Sequence, residues 1–277
     1  MAERGWALVT GCSSGIGRAL VAELRAAGWG VVATARRVET LADLADGDDL
    51  KRLALDVTSE TSLAQAVQAC EGFRLTALVN NAGYGQMGPL ELLRPDEMRV
   101  QFETNVVGLH ATTRAFLPLI RKNALPREGR IVHVGSVLGR LSIPMAGAYN
   151  ASKHAVTALG ETLRLEIGDS IPVILVEPGA IKTQFRATLK QAWGDLPERS
   201  QGTPYEAAIL RYAQKREDFA AQHGLSAEAC AHRIVRAMAS RRPPRRVVVG
   251  MDSLLGQMAY RFLPISLVEY VLRRNYR

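Results

Sequence analysis

The chain has 277 residues, of which 47% are hydrophobic and 22% are charged, and its net charge is +8. This composition excludes a disordered chain, a collagen-like fibre and a small disulfide-stabilised protein, and no apolar run approaches the ~18 residues of a transmembrane helix. Residues 241–277 carry eight arginines and two acidic residues, whereas the first 240 residues carry 27 basic and 25 acidic groups. Because the body of the chain has neither a basic stripe nor a DNA- or RNA-binding motif, we expect no nucleic-acid partner.

The cysteines, the N-terminus and the histidines bear on location and metal binding. Cys12, Cys70 and Cys230 form no CxxC pair, which is typical of a reducing compartment. The N-terminus lacks the apolar core of a signal peptide and enters a strand pattern directly. We therefore expect a cytoplasmic protein. The five histidines show no metal-ligand spacing, so no metal site is predicted.

Short apolar runs alternate with amphipathic helical stretches through the first 183 residues. Continuous apolar strands separated by helices are typical of a parallel sheet that is covered on both faces. With right-handed crossovers they predict an α/β, Rossmann-like, doubly wound parallel sheet of about seven strands, whose ligands bind at the carboxyl ends of the strands. The apolar runs are residues 6–9, 30–33, 53–55, 77–79, 130–134 and 173–176, and the helical stretches are 18–27, 59–70, 95–122 and 148–167.

This alternation weakens after Thr183. Residues 184–224 are polar and interrupted by glycines and prolines, so we interpret them as a mobile, partly helical substrate lid. A helix over 226–240 with Ser226 as its N-cap and an edge strand over 247–249 are predicted to follow. The expected single Rossmann-like domain, 1–277, consists of a cofactor and catalytic core (1–183), the lid (184–224), and a C-terminal helix, edge strand and amphipathic tail (225–277).

A glycine-rich loop follows the first predicted strand and opens the first helix. Residues 10–17 read T-G-C-S-S-G-I-G, a G-x-x-x-G-x-G spacing. Glycines permit a tight turn and let backbone N–H groups approach a pyrophosphate at the positive end of the helix. The strand–loop–helix context therefore favours a dinucleotide site over a ligand-free turn. The predicted cofactor contacts in this loop are Gly11, Ser13, Ser14, Gly15, Ile16 and Gly17.

Two arginines end the second predicted strand, where the sequence reads A-T-A-R-R. NAD enzymes usually place an acidic residue there to bind the ribose hydroxyls of the adenosine. Arg36 and Arg37 instead favour a 2′-phosphate, because a guanidinium group pairs with phosphate through two hydrogen bonds, and Ser14 can donate another. We therefore predict NADP(H) as the cofactor, the alternative being that both arginines are solvated at a helix start.

Tyr149 and Lys153 are four residues apart in a predicted helix and therefore share a face. A nearby ammonium group favours the phenolate and lowers a tyrosine pKa from about 10, which suits Tyr149 to proton transfer near neutral pH. Further polar residues fall at the expected rim of the sheet. They are Ser136 after the strand at 130–134, the stretch Asn80-Asn81-Ala82-Gly83 after the strand at 77–79, and Asn105, which starts or interrupts a long helix.

Taken together, these motifs resemble the short-chain dehydrogenase/reductase family over at least residues 5–183. The loop T-G-C-S-S-G-I-G and the strand end A-T-A-R-R look most like the 17β-hydroxysteroid and retinol dehydrogenases. The resemblance implies hydride transfer between a nicotinamide and a carbonyl or alcohol carbon. It rests on the T-G-x-x-x-G-I-G loop, Asp56 after the third strand, the N-N-A-G stretch, Asn105, Ser136, the Tyr149/Lys153 pair and Pro178-Gly179, in the order and near the spacing of the family.

The resemblance also implies a role for each matching residue. Tyr149 would be the general acid/base, and Lys153 would lower its pKa and hold the nicotinamide ribose. Ser136 would bind the substrate oxygen, and Asn105 would hold a water in a proton relay. Further cofactor contacts would come from Asp56, Val57, Asn81, Ala82, Gly83, Pro178, Gly179, Ile181 and Thr183.

The tail over 251–277 departs from the ending that is commonest in this family. Apolar residues share one face of a first short helix, Pro264 breaks the pattern, and Ser266 with Glu269 predicts a capping box for a second helix. Two helices packed over the cleft or on a partner subunit are one interpretation, and peripheral contact with a membrane surface is the other. By resemblance, the helices over 105–122 and 149–167 would form the interface of a homodimer or homotetramer.

We expect an NADP(H)-dependent oxidoreductase that interconverts a lipophilic ketone or aldehyde and its alcohol, with Tyr149 as general acid/base. Reduction of a 3-oxoacyl thioester is an alternative, because it uses the same four catalytic residues. A non-catalytic NADP-binding protein is a further interpretation, which the intact set of Ser136, Tyr149 and Lys153 disfavours. The expected partner in each catalytic case is a small molecule.

Overall fold

Seven parallel strands form the central sheet of the computed structural model, which describes residues 4–183 and 192–276. The strands of this sheet are β1 (Trp6–Val9), β2 (Gly30–Ala35), β3 (Leu50–Ala54), β4 (Leu75–Asn80), β5 (Arg130–Val134), β6 (Val173–Pro178) and β9 (Arg246–Val249), and a separate parallel pair joins β7 (Ile181–Lys182) to β8 (Leu225–Ser226). Their order across the sheet is β3-β2-β1-β4-β5-β6-β9. The predicted doubly wound fold is confirmed.

Helices cover both faces of this sheet. They are α1 (Gly15–Ala26), α2 (Glu60–Cys70), α3 (Pro95–Phe102), α4 (Gly108–Asn123), α5 (Gly147–Ile167), α6 (Leu196–Arg199), α7 (Glu206–His223), α8 (Ala227–Ala239), α9 (Met251–Phe262) and α10 (Ile265–Tyr276). Leu24 of α1 and Ile234 of α8 belong to one buried apolar cluster, and Ala66 of α2 and Phe116 of α4 belong to a second. Within the described ranges, no helix is both long and apolar enough to cross a bilayer.

The direction of winding reverses between β1 and β4. From β1 the chain runs outward to β2 and β3, and from β4 it runs the other way to β5, β6 and β9. The two loops that leave β1 and β4 therefore part at the carboxyl edge of the sheet. In open α/β sheets this reversal point is where a crevice forms and ligands bind.

The third strand lies earlier than its apolar run predicts. It spans Leu50–Ala54 rather than residues 53–55, and it pairs with β2 from Val31 opposite Leu50 to Ala35 opposite Ala54. β3 is the edge of the sheet, so Lys51 and Arg52 reach solvent from one side of it. Because one side of this edge strand is exposed, its first residues include charged ones. The apolar run in the sequence therefore begins later than the strand itself.

The long helix predicted over 95–122 is interrupted near its middle. α3 and α4 are joined by a π-helical turn, Glu103–Val107, which contains Asn105. A π turn inserts one extra residue and rotates the side chains that follow it, and such turns are frequent at functional sites. The prediction that Asn105 starts or interrupts a long helix is confirmed.

The described part of the predicted lid is largely helical. It includes α6 and α7, and residues 184–191 of the predicted lid lie outside the described residues. The pairing of β7 with β8 holds the two ends of this segment together. Arg199 reaches Glu97 at 2.5 Å, and the Tyr205 hydroxyl donates to Glu91 at 2.7 Å. These contacts hold the segment against α3 and against the loop that precedes α3.

Ser226 caps α8 as predicted, accepting a hydrogen bond from the backbone N–H of Ala229 at 3.1 Å.

The predicted capping box at the start of α10 is wrong. α10 begins at Ile265, directly after Pro264, so Ser266 lies inside its first turn. Glu269 forms an ion pair with Arg273 one turn later instead. Proline at the N-terminal boundary of the helix explains the start, because its missing N–H has no intrahelical partner there.

A buried glutamate connects β6, β9 and the C-terminal helix α9. The Glu177 carboxylate is fully buried, and it accepts hydrogen bonds from Arg140 Nε at 2.9 Å and from Arg246 Nη2 at 2.6 Å. Gln257 of α9 donates to the same carboxylate at 3.2 Å, and Arg140 also pairs with Glu161 of α5. Glu177 therefore holds together elements that are distant in the chain.

A buried histidine at the end of β5 makes stability depend on pH. Asn80 Nδ2 lies 3.1 Å from His133 Nδ1, and because an amide nitrogen donates, this ring nitrogen accepts. Burial lowers the pKa of His133 from 6.5 to about 4. The unfolded chain thus binds a proton in a pH range where the folded protein does not. The free energy of unfolding is expected to fall by about 3 kcal/mol as the pH is lowered from about 6.5 to about 4.

This expectation is checked by chemical denaturation at several pH values. His133→Gln should remove most of the slope between pH 6.5 and 4, whatever it does to stability at pH 7. His110→Gln is the control, because His110 is exposed on α4. An unchanged slope in His133→Gln would assign the pH dependence to other groups.

Candidate active site

The glycine loop lies at the carboxyl end of β1 and leads into the N-terminus of α1. Gly11 and Gly15 have φ angles of +73° and +59°, a left-handed conformation that other residues rarely adopt. A Cβ atom at Gly17 would overlap the carbonyl oxygen of Gly11. The loop thus folds tightly over the first turn of α1, whose free N–H groups and dipole favour an anion.

Two polar side chains brace this loop against the end of β4. Thr10 Oγ1 accepts hydrogen bonds from the backbone N–H groups of Asn81 and Ala82, both at 2.9 Å. The Asn81 amide donates to the carbonyls of Thr10 at 2.9 Å and Gly11 at 3.1 Å. The Asn81 side chain, predicted to contact the cofactor, therefore uses its amide group to support the glycine loop.

The cation at the end of β2 lies on the rim of the crevice. Arg36 is exposed and lines the cavity, whereas Arg37 is exposed but does not line it. Asp56, after β3, turns its carboxylate to the backbone N–H and hydroxyl of Thr58 at 3.0 and 2.7 Å. Among the described residues at the end of β2, the rim of the crevice therefore has one guanidinium group and no carboxylate.

Tyr149 and Lys153 of α5 lie together on the opposite wall, both buried. The Lys153 ammonium nitrogen is 5.7 Å from the centre of the Tyr149 ring, and it donates to the carbonyl of Val134 at 2.8 Å. Ser136 follows β5 and also lines the cavity, where its Oγ accepts from the backbone N–H of Leu138 at 3.1 Å. The predicted catalytic serine, tyrosine and lysine are thus brought to one wall.

Burial lowers the pKa of Lys153 from 10.5 to about 8. The side chain is therefore mostly protonated at neutral pH and loses its charge as the pH rises through about 8. A cation within this distance of a phenol stabilises the phenolate, so its effect on Tyr149 is present below that pH.

Asn105 lies behind the cavity wall and is buried. Its amide donates to the carbonyl of Tyr84 at 2.9 Å and to Ser152 Oγ at 3.2 Å, and its oxygen accepts from the Tyr84 N–H at 3.1 Å. Gln101 supports the same loop by donating to the Tyr84 carbonyl at 3.0 Å and accepting from the Gln86 N–H at 2.5 Å. Both side chains shape the loop that follows β4, and sequence reasoning missed Gln101.

A cavity of about 780 Å³ joins these groups, a size within the usual range of cofactor sites. Gly17, Arg37 and Asn105 are the predicted site residues that do not line it. The predicted residues that do are Gly11, Ser13, Ser14, Gly15, Ile16, Arg36, Asp56, Val57, Asn81, Ala82, Gly83, Ser136, Tyr149, Lys153, Pro178, Gly179, Ile181 and Thr183.

Asp252, at the N-terminus of α9, lines the same cavity and was not predicted. Its carboxylate accepts a hydrogen bond from the backbone N–H of Ala180 at 2.6 Å. A Cβ atom at Gly179 would overlap this carboxylate, which explains why a glycine follows Pro178. The only local signal for Asp252 is its position in the first turn of a predicted helix, where an acidic residue is ordinary.

The cysteine inside the glycine loop is a packing residue. Cys12 is fully buried, its thiol contacts the carbonyl of Val9 at 3.2 Å, and burial raises its pKa to about 12. A thiol that stays protonated is not a nucleophile.

The described residues also contain no group of three or more His, Cys, Asp or Glu side chains that could hold a metal ion.

Comparison with known proteins places the whole chain among oxidoreductases. A family model described as short chain dehydrogenase matches residues 5–193. An uncharacterized oxidoreductase, YbbO of Escherichia coli, is 33% identical over 96% of this chain and 93% of its own. The NADPH-dependent 3-dehydrocapnine reductase of Ornithobacterium rhinotracheale is 30% identical over 98% and 96%. The 17-beta-hydroxysteroid dehydrogenase type 6 of Bos taurus is 32% identical over 97% and 87%.

Solved structures show the same similarity. A short-chain dehydrogenase from Streptomyces avermitilis has a TM-score of 0.80 and 30% identity, covering 99% of this chain and 97% of that one. A short chain dehydrogenase from Burkholderia cenocepacia in complex with NADP has a TM-score of 0.75 and 25% identity, covering 97% of both chains. A short chain dehydrogenase/reductase from Burkholderia phymatum in complex with NAD has a TM-score of 0.76 and 29% identity, covering 94% of both.

Proposed function

Because the chain belongs to the short-chain dehydrogenase family of oxidoreductases, and its relatives include a 17β-hydroxysteroid dehydrogenase, we propose that it interconverts a lipophilic ketone or aldehyde and its alcohol with NADP(H). The observation that carries this proposal is the placement of Lys153 Nζ 5.7 Å from the Tyr149 ring on one wall of the cavity. The glycine loop forms the facing wall. One cavity therefore holds an anion-binding helix end and a proton-transfer pair.

The residues present fit a phosphorylated dinucleotide. The N-terminus of α1 and the tight turn at Gly11 and Gly15 supply unpaired N–H groups for a pyrophosphate. Arg36, exposed on the rim at the end of β2, can pair with a 2′-phosphate, and the two residues directly after β2 are both arginines, so no acidic residue stands at the strand end to bind free ribose hydroxyls. One relative is named as NADPH-dependent, and one similar structure contains NADP.

When bound, the nicotinamide supplies or accepts the hydride. Tyr149 donates its hydroxyl proton to the substrate oxygen during reduction and takes that proton back during oxidation. Lys153 stabilises the phenolate that remains, because its ammonium group is buried beside the ring and charges interact strongly there. The Ser136 hydroxyl, on the same wall, stabilises the charge that develops on the substrate oxygen.

The wall around Tyr149 favours an apolar substrate. Tyr149 packs in a buried apolar cluster with Leu138 and Leu141, and the partly buried Val137 lies against it. Val137, Leu138 and Phe219 also line the cavity. Apolar side chains around one polar pair orient a substrate whose only polar atom is the reacting oxygen.

The proposal is tested by following NADPH oxidation with a panel of ketones and aldehydes of increasing apolar size. The proposal requires turnover with at least one carbonyl, and higher kcat/KM for larger apolar substrates than for small polar ones. NADPH binding without turnover on any carbonyl would indicate a non-catalytic binding protein. Turnover confined to 3-oxoacyl thioesters would indicate the alternative reductase.

Arg36→Asp is expected to weaken NADPH relative to NADH by about 1.5–3 kcal/mol, the scale of a charged hydrogen bond. The reason is that a carboxylate repels a 2′-phosphate and accepts from ribose hydroxyls instead. The ratio of kcat/KM for the two cofactors measures the change. Arg37→Asp is the matched control, because Arg37 is also exposed but does not line the cavity. Equal shifts in both variants would contradict a specific contact at Arg36.

A further inference from the structure

α9 turns its polar side chains toward the protein. Asp252 accepts from the backbone N–H of Ala180, and Ser253 donates to the Glu177 carbonyl at 2.9 Å. One turn later, Gln257 donates to the Glu177 carboxylate at 3.2 Å. An ordinary surface helix has the opposite arrangement, with its apolar stripe facing the core.

The opposite face of α9 and much of α10 expose large apolar side chains. Of the sixteen exposed large hydrophobic residues in the described ranges, ten lie between residues 251 and 271. The concentration in one segment distinguishes this surface from the scattered apolar residues of an ordinary protein surface. On α9 they recur at helical spacing and share one face. The ten are Met251, Leu254, Leu255, Met258, Phe262, Leu263, Ile265, Leu267, Tyr270 and Val271, which we call the C-terminal apolar face.

The charges on these two helices are mainly positive where they reach solvent. Asp252 is turned inward, and Glu269 is paired with Arg273. Arg261 and Arg274 are exposed on the same helices, and Arg261 lies 5.7 Å from the Phe262 ring. Arginine beside an exposed aromatic side chain suits the boundary between anionic headgroups and acyl chains.

A second copy of this chain fits the face less well than an anionic lipid surface does. Each copy carries a net charge of +8, and a two-fold contact would place Arg261 and Arg274 of both copies at one interface. Like charges at an interface oppose association, whereas the same arginines are attracted to anionic headgroups.

We propose that the C-terminal apolar face docks on the surface of an anionic lipid bilayer, with α9 and α10 lying in the interfacial plane. The side chains of Leu255 and Phe262 would enter the acyl region, and Arg261 and Arg274 would contact phosphate groups. Asp252 lies in the first turn of α9 and lines the cavity, so the docked face is next to the candidate active site. The docking surface itself does not depend on the proposed reaction.

Flotation of the full-length protein with lipid vesicles tests this proposal. The vesicles contain either phosphatidylcholine alone or phosphatidylcholine with 30% phosphatidylglycerol (about one lipid in three). We expect binding to the anionic vesicles, weakened by high salt, and at least a tenfold loss of binding in the double variant Leu255→Glu/Phe262→Glu. Leu125→Glu is the control, because it places the same charge at another exposed leucine, after α4.

Arg261→Gln/Arg274→Gln should reduce binding to the anionic vesicles by several fold. Circular dichroism and NADPH binding show whether each variant is folded. No flotation of the folded wild-type protein with either vesicle, or equal flotation of the double glutamate variant, would overturn the proposal. A change of molecular mass in the double variant with no effect on vesicle binding would also overturn it, since it would assign the face to a second copy of the chain.

Discussion

Replacing Tyr149 by phenylalanine is expected to lower the rate of NADPH-dependent carbonyl reduction by about 10²- to 10⁴-fold, the range that positioned proton transfer contributes. The variant loses one hydroxyl and keeps the ring that packs against Leu138 and Leu141. Lys153 keeps its hydrogen bond to the Val134 carbonyl. NADPH binding and the melting temperature should therefore change little, and the loss should appear in kcat.

Tyr212→Phe is the matched control for this experiment. Tyr212 is buried in the same apolar cluster, and its hydroxyl lies 3.6 Å from Met87 sulfur, but it does not line the cavity. Its removal should leave kcat within a few fold of the wild-type value. Comparable turnover in Tyr149→Phe and wild type would show that another group supplies the proton.

Replacing Glu177 by glutamine is expected to lower the free energy of unfolding by about 2 kcal/mol, because it removes the fully buried negative charge that two partly exposed guanidinium groups share. Arg140 and Arg246 both donate to this fully buried carboxylate, and an amide offers them one oxygen and a competing N–H₂ group. Gln257 must then compete with the two arginines for the one remaining oxygen, so α9 should loosen. Urea denaturation at pH 7 measures the change.

Asp49→Asn makes the same carboxylate-to-amide change in an exposed ion pair. Asp49 pairs with Arg25 at 2.9 Å, and both side chains are 42% exposed. Exposed pairs contribute about 1 kcal/mol or less, so this variant should be close to wild type in stability. Equal effects of the two substitutions would mean that the Glu177 network contributes no more than a surface ion pair.

The parts of the site that the sequence predicts are those that depend on residues only a few positions apart. The glycine spacing of residues 11–17 predicts a tight turn, and the four-residue spacing of Tyr149 and Lys153 predicts that both side chains lie on one face of a helix. The glycine loop also follows an apolar run directly, which places it at the carboxyl edge of a parallel sheet. These local signals were sufficient to predict that the tyrosine, the lysine and the glycine loop lie near one another.

Other features depend on residues that carry no local signal. Gln101 looks like an ordinary polar residue of a helix, yet it is fully buried and holds the loop at Tyr84 and Gln86. The role of Asp252 depends on Ala180, which lies 72 residues earlier. No periodicity or motif relates two such positions, because their contact exists only after the sheet has formed.

The doubly wound fold, the tight glycine turn and the shared helix face of Tyr149 and Lys153 all follow from the order of residues along the chain, since backbone sterics and helix periodicity act over neighbouring residues. The face of α9 that points inward, by contrast, depends on contacts between distant parts of the chain. Its apolar spacing alone predicts a buried stripe, but the buried carboxylate of Glu177, far away in the chain, needs the donors that Arg246 and Gln257 provide. A buried charge is costly without partners, so satisfying it turned the polar face of α9 toward the protein and left the apolar face outside.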